Sequence, residues 1–185
     1  MNPQLFLSLI ESFGLAALVS TIYSALNRSR IRNKYKTIFF GITFGIAAIA
    51  AMMKPVELGD GLIFDARVVM LSLAGAYGGW ISGAIAVVIA AAYRFFQGGL
   101  GIYAGMLGIL IAGAVGTIFA WAIDKPYRLS DHAALGVLGS LQILSLFALP
   151  WDLAIDLLAH IGPLLAIVNL IGVLTVGSFL KWEEG

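Results

Sequence analysis

Two arginines that flank a long uncharged segment are the residues of this sequence best suited to binding chemistry. Arg67 and Arg94 bracket 26 residues, 68–93, that carry no charged side chain. An arginine at membrane depth is costly and is usually kept for a partner, and a guanidinium binds carboxylate or phosphate through two parallel hydrogen bonds. The pair therefore predicts a site for a small anion.

The composition places these arginines in a membrane. Of the 185 residues, 61% are hydrophobic and 11% are charged, and the mean hydropathy is +0.98. The apolar runs are long and continuous rather than alternating with period two, which favours helices over a β-barrel. We therefore expect an all-α, polytopic helical membrane protein with the lipid bilayer as its surroundings. The basic residues form no extended stripe, so no nucleic-acid binding is predicted, and the absence of cysteine excludes disulfides and thiolate metal sites.

Basic residues predict how the helices are oriented. Five cations between Arg28 and Lys36 follow the first apolar run, and short loops rich in lysine and arginine stay in the cytoplasm. The pattern predicts an external N-terminus, a cytoplasmic C-terminus and about seven spans, with six as the alternative if the segment between the arginines is re-entrant. Binding of lipid headgroups or nucleic acid by the basic loop is the weaker alternative to orientation. His132, beside the second basic loop, is expected to face solvent.

The segment between the two arginines predicts a short helical hairpin. It is too long for one straight span, and Gly78 and Gly79 lie almost at its midpoint. A turn at Gly78 to Trp80 leaves two arms of about a dozen residues, about 18–20 Å each at 1.5 Å per residue. Equal arms would bring Arg67 and Arg94 to the same depth on neighbouring helices, in the outer part of the membrane.

The apolar segment after the hairpin is rich in glycine. The spacing of Gly101 and Gly105 lets another helix approach closely, which is the ordinary use of small residues in lipid. We expect packing to be the main use of these glycines, and Gly105 and Gly108 to clear volume for a ligand as well. Ser72 and Tyr103 are further candidates, because they lie near the arginines in sequence.

Other polar residues in the apolar segments favour structural uses. Asp152, Asp156 and His160 recur at intervals of four, so a helix would place them on one stripe that could suit a metal ion or a proton relay. We favour the simpler interpretation, that they line the water boundary at the outer end of the last helix. Gln142 and Asn169 are single amides that we expect to form hydrogen bonds between helices. No metal site and no cofactor is predicted.

Four sequence elements in a fixed order resemble the membrane sensor domain of the LytS and YhcK type. They are the element Phe64-Asp65-Ala66-Arg67, the pair Gly78-Gly79, the pair Tyr93-Arg94, and the glycine-rich stretch from Gly98 to Gly108. The resemblance covers residues 36–123 well. Residues 1–35, with the first helix and basic loop, and residues 124–185, with the last two helices, are compatible with it.

The resemblance implies a function. Domains of this type are five-transmembrane receptor modules that precede histidine kinases and diguanylate cyclases in bacteria, and several are associated with small carboxylates such as pyruvate. It implies that residues 1–185 form one sensor domain in the bacterial inner membrane and that Arg67 and Arg94 clamp a carboxylate. We further expect Asp65 to hold one arginine when the site is empty. Gly105 and Gly108 stand where pyruvate-sensing relatives carry polar side chains, which predicts a roomier site.

The sequence contains no Walker loop, zinc-protease motif or triad, and no kinase or cyclase motif precedes Gly185. We therefore expect that this chain is not an enzyme and that the output domain lies outside it. Homodimerisation through small-residue helix faces is expected. The alternative function, from a different class, is the substrate-binding subunit of an energy-coupling-type small-molecule transporter, which shares a small, glycine-rich, all-helical architecture.

Overall fold

The computed structural model describes residues 3–53, 56–57, 63–64, 66–99 and 101–184. In chain order the elements are helices α1 (Pro3–Arg28) and α2 (Asn33–Met53), strands β1 (Val56–Glu57) and β2 (Ile63–Phe64), helices α3 (Arg67–Gln97), α4 (Ile102–Ala122) and α5 (Leu129–Gly139), a 3₁₀ helix (Ser140–Ala148), and helix α6 (Trp151–Glu184). The two short strands pair antiparallel and close the loop between α2 and α3.

The predicted all-α, polytopic membrane fold is confirmed. Five segments are long and apolar enough to span a bilayer: Asn33–Met53, Arg67–Gln97, Ile102–Ala122, Leu129–Ala148 and Gly162–Trp182. Helix α1 adds a further pass, and α3 passes twice because it folds back on itself. The chain therefore runs through the bundle about seven times, as the sequence predicts.

Helix α3 turns back at Gly79, within the Gly78 to Trp80 turn that the sequence predicts. Gly79 has φ 74° and ψ −173°, a backbone conformation that is essentially restricted to glycine. The two arms lie side by side, since a Cβ placed on Gly83 would stand 3.2 Å from the Cα of Gly75. We call residues 67–78 the first arm and residues 80–97 the second arm.

The two arms differ in length, which corrects the expectation of matched depth for the arginines. Arg67 lies 12 residues before Gly79 (79 minus 67), and Arg94 lies 15 residues after it (94 minus 79). At 1.5 Å per residue, the Cα of Arg94 lies roughly 4.5 Å farther from the turn. We call the end of the bundle at Gly79 the turn end and the opposite end the arginine end.

The first arm is the centre of the bundle. Every residue from Val68 to Tyr77 is buried, so this helix is surrounded by protein rather than by lipid. Its short length is therefore no obstacle in a membrane, because neighbouring helices cover it. Its burial also fixes it as a rigid rod of about 15 Å between the two ends of the bundle.

Glycines bring α4 into backbone contact with the first arm. A Cβ on Gly116 would overlap the carbonyl oxygen of Ser72, and a Cβ on Gly75 would lie 2.5 Å from the backbone nitrogen of Thr117. In the same way, Cβ atoms on Gly41 and Gly45 of α2 would press on isoleucines of the second arm. These glycines therefore serve close helix packing.

Candidate functional site

Arg67 is the first residue of α3 and lies at the arginine end. Side chains on a helix tilt toward its N-terminus, so this side chain extends away from the turn end. The residue is half-buried, and its Nε is sealed from solvent. Asp65, which we expect to hold one arginine when the site is empty, lies outside the described residues.

Arg94 lies across the glycine-rich start of α4. A Cβ on Gly105 would collide with its Nε and would stand 3.1 Å from its Cδ, and a Cβ on Gly101 would stand 3.5 Å from its Nη2. Nη1 donates a hydrogen bond to the carbonyl oxygen of Gly98 at 3.1 Å and approaches Oε1 of Gln97 at 3.5 Å. The room left by Gly105 is thus filled by the arginine, and the buried aliphatic stem holds the guanidinium in place.

The position of Arg94 is fixed by the end of the second arm. The chain leaves the helix through Gly98 and Gly99, whose φ values of 66° and 88° suit glycine. Gln97 donates from Nε2 to the carbonyl oxygen of Met52 at 3.4 Å and so ties the second arm to α2. A cation in the last turn also interacts favourably with the negative end of the helix dipole.

Gly108 faces two uncharged polar side chains of the 3₁₀ helix. Its Cβ position lies 3.2 Å from the Oγ of Ser145 and 3.4 Å from the Oε1 of Gln142. Both residues are buried, and neither makes a hydrogen bond within the described part of the chain. The hydroxyl of Ser72, by contrast, donates a hydrogen bond to the carbonyl oxygen of Val68 in the same helix.

The 3₁₀ winding explains why Gln142 and Ser145 act together. With three residues per turn, side chains at i and i+3 lie directly in line, and runs longer than three or four residues are uncommon. This run has nine residues. The sequence signal for this pair is the spacing of three residues between Gln142 and Ser145 in an apolar stretch.

The side chain of Arg94 and the two polar side chains of the 3₁₀ helix lie side by side against the surface of α4. Gly105 and Gly108 are three residues apart on one helix, where Cβ positions are about 5–6 Å apart. The guanidinium of Arg94 lies over the first glycine, and the amide and hydroxyl lie over the second. The site therefore combines a positive group with neutral hydrogen-bonding groups over a floor that has no side chains.

Two predicted site residues are placed elsewhere. Tyr103 is 77% exposed, so it does not line a buried site with Gly105 and Gly108. Ser72 is fully buried beside Gly139 and Gly116, and its hydroxyl is engaged by its own helix. Neither residue joins the group formed by Arg94, Gln142 and Ser145.

His132 corrects the expectation of a solvent-facing residue. It is 1% exposed at the turn end, where its Nε2 lies 2.7 Å from the hydroxyl of Tyr77 and its Nδ1 lies 2.9 Å from the carbonyl oxygen of Arg128. Its ring fits only because the facing residue of α6 is Gly177, where a Cβ would overlap the imidazole. No local signal could reveal this, because Tyr77 and Gly177 are distant in sequence.

The stripe at the start of α6 is exposed. His160 and Asp156 form a pair at 3.2 Å with side chains 73% and 68% exposed, and Asp152 is exposed as well. Among the described residues, no three potential ligands converge on a metal position. These observations agree with the simpler interpretation of a water boundary.

Asn169 departs from the expectation for a single amide. It is fully buried in α6, and neither its Nδ2 nor its Oδ1 has a hydrogen-bond partner within the described residues. The expected hydrogen bond between helices is therefore wrong for this residue in the described structure. One turn away, Gly172 packs on Val69 of the first arm.

Comparison with known families agrees with this architecture. The model of the family described as 5TMR of 5TMR-LYT matches residues 14–183, which is nearly the whole chain. The fold and the match define a multi-pass membrane sensor module of the class found with histidine kinases and cyclases. The chain belongs to the 5TMR-LYT family. The match extends beyond residues 36–123, where the sequence motifs lie. Neither the search of curated proteins nor that of solved structures returned a significant match.

Proposed function

We propose that this chain is a sensory input domain that binds a small carboxylate from the extracytoplasmic side of the bacterial inner membrane. Arg94 and Arg67 hold the carboxylate at the arginine end, and Gln142 and Ser145 provide neutral hydrogen bonds beside it. Occupancy is relayed to a cytoplasmic output domain such as a diguanylate cyclase or histidine kinase. The chain itself performs no catalysis.

The observation that carries this proposal is the way Arg94 is held. Its stem lies over Gly105, its Nε is sealed from solvent, and its terminal nitrogens reach Gly101 and the carbonyl oxygen of Gly98 at the arginine end. A guanidinium fixed in this way loses little rotamer freedom on binding, and its fork matches a carboxylate. Each charge-assisted hydrogen bond contributes roughly 1.5–3 kcal/mol in a partly desolvated site.

The ligand exchanges with interactions that the protein already makes. Both arginines have partners inside the protein, so binding replaces existing contacts rather than filling vacant ones. A ligand shifts the packing only by its differential affinity for the two arrangements. If the ligand replaces the protein partners of Arg67, at the start of the buried first arm, its affinity differs between the two arrangements.

The proposal also covers the orientation of the chain in the membrane, its assembly into dimers and the choice between sensor and transporter. The cation bias supports an external N-terminus and a cytoplasmic end of α6. Homodimerisation through exposed helix faces would suit kinase or cyclase outputs, which work in pairs. Membership of a sensor family favours this function over the transporter subunit.

Thermal unfolding of the purified protein with a panel of small acids tests the proposal. We would use formate, acetate, pyruvate, lactate and succinate, with chloride and phosphate as anions of other shapes. A carboxylate at 100 times its Kd should stabilise the protein by about 2.7 kcal/mol. Arg94→Gln and Arg67→Gln should each weaken binding roughly 10- to 150-fold, which corresponds to about 1.5–3 kcal/mol.

The matched control is Arg32→Gln, which removes the same charge from an exposed position in the basic loop. It should leave the ligand-induced shift unchanged. Equal shifts in all variants would place the anion site elsewhere, and no shift with any carboxylate would reject the ligand class.

A further inference from the structure

The turn end contains a link between the hairpin and the last helix that ligand binding does not use directly. The hydroxyl of Tyr77, near the end of the first arm, lies 2.7 Å from the Nε2 of His132 in α5 and 3.1 Å from the carbonyl oxygen of Gly177 in α6. Tyr77 and His132 are 5% and 1% exposed. One hydroxyl therefore joins three helices inside the bundle.

The phenol has one proton and two acceptors. Nδ1 of His132 faces the carbonyl oxygen of Arg128 at 2.9 Å, so this nitrogen carries a proton. In the neutral imidazole the other nitrogen, Nε2, is then an acceptor and competes with the carbonyl of Gly177 for the tyrosine proton. The two bonds define two arrangements, one that fastens the first arm to α5 and one that fastens it to α6.

The surroundings hold Tyr77 at the point where the hairpin can move. Nζ of Lys125 donates to its backbone carbonyl at 2.6 Å and lies 4.8 Å from its ring centroid. Tyr127 packs edge-on against its ring and donates to the carbonyl of Ala76 at 2.8 Å. Two residues later, Gly79 adopts its glycine-only conformation, so these contacts hold the arm directly before the point where the chain reverses direction.

Glycines bring α6 close to these contacts. The first arm meets α6 at Gly172, which faces Val69, and Tyr77 and His132 meet it at Gly177. Because these positions have no side chains, the backbone of α6 lies directly against the first arm and the imidazole ring. The rigid first arm carries any displacement at Arg67 to Tyr77, ten residues away.

We propose that the Tyr77 hydroxyl is a two-acceptor link that couples the hairpin to α6. When it donates to Gly177 it fastens the turn end of α6, and when it donates to His132 it releases that segment. The link rests on geometry alone, whereas its use in transmitting a ligand signal rests on the proposed function. Tyr77 is thus a positioning residue for whatever follows α6.

Hydrogen–deuterium exchange of the full chain in detergent micelles tests this link without any ligand. The reporter is the peptide covering residues 178–182, because the amide of Lys181 bonds to the carbonyl of Gly177 in the helix. Tyr77→Phe removes only the hydroxyl and should speed exchange there roughly 2- to 10-fold, as expected for one lost hydrogen bond. Exchange in α4 should not change.

The matched control is Tyr127→Phe. It removes a hydroxyl from the same buried cluster, but that hydroxyl donates to the carbonyl oxygen of Ala76 in α3, whereas the hydroxyl of Tyr77 reaches the carbonyl oxygen of Gly177 in α6. Equal changes at residues 178–182 in both variants, or no change in either, would overturn the proposal. His132→Phe is a second variant, and its expected effect on the exchange rate is opposite. It removes the competing acceptor and should slow exchange at Lys181.

The outcomes separate this link from ligand binding. Faster exchange in Tyr77→Phe alone supports the link even if no carboxylate binds. Unchanged exchange in that variant rejects the link even if carboxylate binding depends on Arg94. His132→Phe showing faster exchange would reject the competition between the two acceptors.

Discussion

The two ends of the first arm hold polar groups in opposite ways. At the turn end, Tyr77, His132 and Tyr127 are buried in a cluster where described hydrogen bonds join helix to helix. At the arginine end, Gln142 and Ser145 are buried without such bonds, beside the guanidinium of Arg94. Hydrogen-bonded polar groups stabilise a packing, whereas polar groups without a protein partner are available to a ligand.

This contrast explains how one buried helix serves two purposes. At the arginine end, the proposed ligand would replace contacts that the two arginines already make within the protein. The turn end keeps the arm attached to α5 and α6 through hydrogen bonds and ring contacts. Substitutions that affect one end at a time test this contrast, and a substitution in the contact between α4 and the first arm affects both ends.

Gly116→Ala should have the largest effect, because it would disrupt the packing of α4 against the first arm. The new Cβ overlaps the carbonyl of Ser72, a backbone atom that cannot rotate away. We expect a loss of about 3 kcal/mol or more, measured as lower folded yield and melting temperature in detergent. Gly14→Ala is the control, because no heavy atom of the described side chains lies within 4 Å of its Cβ position. A tolerated Gly116→Ala would mean that the first arm is not held rigidly.

Gly177→Ala should disturb the turn end alone. Its Cβ overlaps the ring of His132, and repacking of the ring should cost about 1–3 kcal/mol. The melting temperature should therefore fall by roughly 2–12 °C. Gly162→Ala lies in the same helix, and among the described residues nothing comes within 4 Å of its Cβ position, so it should have little effect. Carboxylate affinity should stay within about twofold of the wild type, and a large loss would show that the two ends are not separable.

Gly105→Ala should disturb the arginine end alone. The methyl group displaces the Nε of Arg94, so carboxylate affinity should fall about tenfold, or about 1.4 kcal/mol, with little change in stability without ligand. Gly101→Ala makes only an ordinary contact with the same arginine at 3.5 Å and serves as the control. Titration of the best carboxylate measures both, and equal affinities in the two variants would contradict the role of Gly105.

Asn169→Leu should have the smallest effect, and it tests the stability cost of a buried polar group without a partner. Its buried amide has no partner within the described residues, so an apolar side chain of similar size should stabilise the protein by up to about 1 kcal/mol. Gln142→Leu should likewise not destabilise the protein, but should weaken carboxylate binding. Thermal unfolding with and without ligand separates the two, and destabilisation by Asn169→Leu would reveal a hydrogen bond that this packing does not provide.

The sequence by itself determined the class of fold and the position of the turn. Long apolar runs form transmembrane helices because lipid leaves backbone groups no other partner, and Gly78-Gly79 marks the turn because only glycine adopts the conformation found at Gly79. The sequence also singled out Arg94 and Gly105, although it assigned to the ligand the space that the arginine fills.

Only the tertiary structure decided which residues meet. The burial of His132 depends on Tyr77, 55 residues earlier, and on Gly177 in another helix. The exposure of Tyr103 depends on which face α4 turns to its neighbours. Local patterns fix the period and ends of a helix, but the rotation and depth at which helices pack are set by contacts between residues far apart in the chain.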